Sequence, residues 1–94
     1  MDDAKRHALT LITCGTTAEA QSIARHLVES RLAAGVQVIP IESVYTWDDE
    51  IVEDHEWLLI AKTRRDRFEQ IMAAVNEMHP YLVPPVLMID IDSA

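Results

Sequence analysis

Two side chains of this 94-residue sequence carry donor chemistry that the fold could bring together, Cys14 and His79. A thiolate sulfur beside an imidazole nitrogen suits copper, zinc or mercury rather than calcium or magnesium, because soft and borderline donors match soft and borderline cations. Two donors fall short of the three or four protein ligands that hold a metal tightly. A lone cysteine at a strand end is also more often a small buried residue than a ligand. The expectation is a loose site for copper or another divalent cation. It should weaken as the pH drops through the imidazole range, since a protonated histidine cannot ligate. The helix start that follows Cys14 is expected to lower the thiol pKa and favour its ligating form.

Other constellations carry less. His7, His26 and His55 stand apart from one another, without ligand spacing. Asp48, Asp49, Glu50, Glu53, Asp54 and Glu56 form an acidic run that could collect hard cations, although such runs are usually solvated loops. Tyr45, Trp47 and Trp57 read as core or interface aromatics, the residue types that anchor subunit contacts. Enzyme signatures are missing: no G-x-S-x-G, no H-E-x-x-H and no glycine-rich phosphate loop, the only two glycines being isolated. Cys14 and His79 as nucleophile and base would lack a third, orienting group. The expectation is a binding protein with no catalytic residues and no required cofactor.

Positioning these residues needs a particular order of elements. Residues 7–14 are rich in Leu, Ile and Thr and predict a strand that Gly15 breaks. Thr16 and Glu19 fit a capping box. Ala20, Ile23, Ala24, Leu27, Val28 and Leu32 then recur at helical steps as one buried face, with Gly35 as the C-terminal stop. Residues 36–47 and 51–62 predict two strands joined through Asp48–Glu50 in a long hairpin. Pro40 places the first of them at an edge or a bulge. Thr63 reads as the N-cap of a second helix, with Asp66 in its first turn and Phe68, Ile71, Met72, Val75 and Met78 buried. Pro80 ends that helix at His79, and residues 86–91 make a fourth strand.

The order β-α-β-β-α-β is the ferredoxin-like arrangement: an α+β domain spanning residues 1–94, with two helices on one face of an antiparallel sheet. Its topology puts the end of strand one, the end of helix two and the start of strand four at one edge, where Cys14 and His79 would meet. The second face of the sheet would stay bare, and strands apolar on both faces then call for a partner chain.

Composition narrows the partner. Sixteen Asp and Glu against eight Lys and Arg give a formal charge of −8, a field that repels a phosphate backbone. The basic residues read as dispersed, so nucleic acid is excluded. One cysteine cannot form an intrachain disulfide. Residues 1–7 are polar, unlike a signal peptide, and no apolar run is long enough to span a bilayer. The expected partners include no membrane, and the expected location is the cytoplasm.

Several fragments, in order along nearly the whole chain, resemble the CutA divalent-cation tolerance family. They are Thr13-Cys14, the helical run from Ala24 through Arg31-Leu32-Ala33-Ala34, Ser43-Val44-Tyr45-Thr46-Trp47, Lys62-Thr63 and His79-Pro80-Tyr81 with Pro84. The resemblance implies a ferredoxin-like homotrimer, similar in shape to PII signalling proteins, whose long hairpins join the sheets of neighbouring chains. It also implies a role in copper and divalent-cation tolerance. A PII-like module that binds a small molecule or protein at clefts between subunits is the alternative it carries. Family members commonly have glycine where Asp49 stands, glutamate where Pro85 stands, and an aromatic segment beyond the position of Ala94.

Overall fold

In the computed structural model the described residues are 6–78 and 86–91, and the order of elements is the one the sequence predicts. Strand β1 is His7–Cys14, helix α1 Thr17–Glu29, β2 Gly35–Trp47 and β3 Glu50–Arg64. A 3-10 turn, Arg65–Arg67, leads into helix α2, Phe68–Met78, and β4 is Val86–Asp90. The sheet is antiparallel throughout, in the order β2-β3-β1-β4.

Alternation along the strands sorts their residues onto two faces. Ala8, Thr10, Ile12 and Cys14 of β1 are buried, and their partners Thr63, Ala61 and Leu59 of β3 are buried with them. Against this face pack Ala20, Ile23 and Leu27 of α1 and Ile71, Ala74 and Val75 of α2. Val28, Met78 and Phe68 lie at the margins of the helical faces rather than within the core.

Local hydrogen bonds explain the ends of α1. Thr16 is the N-cap, its hydroxyl accepting from the amide of Glu19 at 3.1 Å. Glu19 reaches back as a capping box requires, though to the amide of Gly15 (3.4 Å). The helix stops well before Gly35. The Ser30 hydroxyl donates to the carbonyl of His26 at 2.6 Å, competing with the helical ladder. The amides of Arg31 and Leu32 then donate to the carbonyls of Val28 and Leu27, the paired bonds of a Schellman motif. Its left-handed position belongs to Arg31, at φ 61°, while Gly35 opens β2 with an ordinary backbone. Arg31→Gly is therefore expected to stabilise the fold by about 0.5–1 kcal/mol, relieving a left-handed side chain at the cost of a freer unfolded chain. Chemical denaturation of both proteins checks this, and a loss of stability would contradict the assignment.

Thr63 does not cap α2. It remains in β3 opposite Ala8, and its buried hydroxyl donates to the carbonyl of Leu32 at 2.6 Å, stitching β3 to the end of α1. Asp66 instead takes a two-pronged ion pair from Arg64, at 3.0 Å for each bond.

The β2–β3 hairpin outgrows the sheet. Residues 41–56 pair only with each other, because the β1 ladder ends at Cys14 opposite Trp57. The tight turn at Asp48 and Asp49 has positive φ at both positions, 54° and 64°, matching the primed hairpin geometry in which glycine is favoured. Pro40 sits on β2, an edge strand, as its missing donor requires.

Candidate metal site and interaction surface

Cys14 ends β1 on the helix-covered face, fully enclosed and opposite Trp57. Trp57 itself is half-buried against the core. The thiol pKa is pushed up to about 12, first by burial and then by the nearby carboxylates of Glu19 and Glu56. This reverses the expected lowering. The start of α1 does follow Cys14, but exclusion from water and two negative charges outweigh any benefit from the helix end. At neutral pH Cys14 is a protonated thiol, and a metal would have to displace that proton.

His79 lies outside the described residues. Met78 ends α2, and β4 begins at Val86 opposite Ile12, two positions from Cys14. Among the described residues no group of three or more His, Cys, Asp and Glu could hold a metal ion. His7, at the opposite end of β1, and His26, on α1, are separate from Cys14 along the chain. His55 lies on the hairpin arm, 3.9 Å from the exposed carboxylate of Glu42.

The uncovered sheet face is largely apolar, interrupted by Gln37 opposite Ile60 and Lys62 opposite Leu9. Leu11 lies between Ile60 and Leu87 across the strands, with Leu58 opposite Ile39 and Leu9 opposite Ile89 nearby on the same face. Leu87 and Ile89 remain 65% and 49% exposed. The hairpin arm adds Trp47 and Ile51, 72% and 79% exposed, and Tyr45, whose hydroxyl donates to Asp54 at 3.2 Å. An isolated two-stranded ribbon is marginal in water, and apolar patches on this scale mark interaction sites.

Basic charge is not dispersed, contrary to the expectation from the sequence. The run Lys62-Thr63-Arg64-Arg65-Asp66-Arg67 holds four of the eight Lys and Arg residues at the end of β3 and the turn after it. Its density of cations was the available signal, masked by the acidic total.

A family model described as CutA1 divalent ion tolerance protein matches residues 8–94. The chain belongs to the CutA1 divalent ion tolerance family. It is 42% identical over 84 residues to the divalent-cation tolerance protein CutA of Thermus thermophilus, covering 88% of this chain and 82% of that one. To the CutA of Archaeoglobus fulgidus it is 36% identical over 86 residues, covering 92% and 84%. Solved CutA1 structures share the fold. That of Oryza sativa has a TM-score of 0.91 at 30% identity, covering 99% of this chain and 86% of its own. That of Thermus thermophilus has 0.89 at 39%, covering 94% and 86%. The ferredoxin-like sheet with its long hairpin is thus a CutA1 fold. No described helix is long and apolar enough to cross a membrane.

Proposed function

We propose that this CutA1 family member is a homotrimeric, non-catalytic protein that binds divalent cations such as copper loosely and serves cation tolerance. Membership in a divalent ion tolerance family over residues 8–94 carries the reading. Assembly is supported by the open apolar sheet face and by the unsupported hairpin arm, with Tyr45 and Trp47 as anchors in the contact and Trp57 packed behind it. The family resemblance supplies the number three. A single cysteine, unable to form an intrachain disulfide, fits a cytoplasmic location. The net charge of −8 argues against a nucleic-acid partner.

Cys14 and His79 are the proposed donors. The enclosed thiol holds its proton firmly, and Pro85 stands where a family carboxylate would add a ligand, so the cation is bound weakly as cargo rather than as a resident cofactor. Calorimetric titration of copper into the parent, Cys14→Ser and His79→Ala tests the pair. The binding heat should vanish in both variants and grow in the parent as the pH rises. Unchanged binding in both would assign the metal to the acidic hairpin instead.

A further inference from the structure

The open sheet face carries charges of opposite sign at its two ends. Alternation along β3 puts Glu56, Leu58, Ile60 and Lys62 on one side of the strand, the side of Leu9 and Leu11 of β1 and of Gln37 and Ile39 of β2. Lys62 stands near the start of β1, between Leu9 and Gly35. A Cβ at Gly35 would meet nothing within 4 Å, so the ammonium has open space on its β2 flank. Glu56 stands at the other end, half-buried where the hairpin arm leaves the sheet, opposite Ile41. Neither side chain takes part in an ion pair or a side-chain hydrogen bond among the described residues. Six residues of extended strand hold the two roughly 20 Å apart, so they cannot meet within one chain.

We propose that Lys62 of one copy pairs with Glu56 of the next copy, an ion pair across the covered sheet faces that fixes the register of the contact. The pairing rests on the self-association proposed for this face. Covering Leu9, Leu11, Leu58 and Ile60 with another chain also takes Lys62 and Glu56 out of water. A charge buried there without a partner opposes association strongly, and one that meets its opposite does not. Such a pair adds little net affinity over an apolar contact, but it penalises every register in which the two miss each other. Other charges on this side are committed or remote. Arg64 is neutralised by Asp66, Asp54 accepts from the Tyr45 hydroxyl farther out on the arm, and Glu50 lies at its tip beside the turn. Each copy thus brings one ammonium and one adjoining carboxylate to the apolar face, and a closed ring of copies satisfies all of them.

Charge reversal in the full chain, read by light scattering over a dilution series, tests the pairing. Both positions face away from the helix-covered core, so circular dichroism should show every variant folded. Lys62→Glu and Glu56→Lys should each weaken association by roughly a hundredfold per contact, because each sets like charges against one another. Lys62→Glu combined with Glu56→Lys should recover most of the parent's association, since the pair is restored with its signs exchanged. Lys62→Glu combined with Asp54→Lys should not recover it. Arg25→Gln, whose parent side chain pairs with Glu29 in solvent, should assemble like the parent. Single reversals that leave the assembly unmoved, a Lys62→Glu/Glu56→Lys protein as weak as either single variant, or recovery through Asp54→Lys would overturn the pair while leaving the assembly standing. A parent that runs as a monomer would remove the assembly and the pair together.

Discussion

Leu11→Asp is expected to dissociate the proposed assembly into monomers that remain folded. Leu11 lies in the middle of the open face, between Ile60 of β3 and Leu87 of β4, while the helix-covered core lies on the other side of the sheet. In the monomer the new carboxylate faces water, but in an assembled sheet face it would be buried without a partner, at a cost of several kcal/mol. The parent's stability should rise with protein concentration, because association adds to folding, and the variant's should not. Trp47→Ala should act in the same direction more mildly, removing an anchor from the arm rather than placing a charge in the contact. Light scattering and thermal melts at two concentrations read both effects. A Leu11→Asp variant that keeps the parent's mass and melting point would show that this face is not the contact.

The second large effect is alkaline. Between pH 9 and about 12 the ionisation of Cys14 alone should cost the fold on the order of 4 kcal/mol. In the unfolded chain the thiol ionises near its ordinary value of 9.0, whereas in the fold it holds its proton to about 12. The folded state therefore binds more protons across that interval, and its stability falls as pH rises. Below pH 9 both states are protonated and the group contributes no pH dependence. Cys14→Ala should be somewhat less stable than the parent at pH 7, for the small cavity it leaves. Its penalty should shrink and then reverse toward pH 12. Urea midpoints of the two proteins, compared at each pH, cancel the other titrating groups. A constant difference across the interval would mean that the thiol ionises normally and is wet.

Much of this architecture is legible in the sequence because local chemistry and long-range pairing agree. Thr16 and Glu19 mark the start of α1 through side chains that can reach only nearby amides, and alternating apolar residues mark the strands. The end of α1 is less legible. Gly35 looks like a stop, but the Ser30 hydroxyl and the Schellman bonds from the amides of Arg31 and Leu32 turn the chain earlier and leave Arg31 in the left-handed position. Thr63 is ambiguous for a related reason: as a cap it would need only its neighbours, while its actual partner, Leu32, is distant in sequence. The candidate site follows the same division. Topology alone places Cys14 at a strand end. The direction of its pKa shift depends on burial and on Glu56, which only the tertiary fold brings near.

The reading of this chain as a self-assembling CutA1 protein rests on a partner covering its open sheet face and hairpin arm. Size-exclusion chromatography coupled to light scattering measures that most directly, at micromolar protein in dilute buffer. A mass about three times the 10.6 kDa chain is the predicted result; a single species of one chain mass would contradict it.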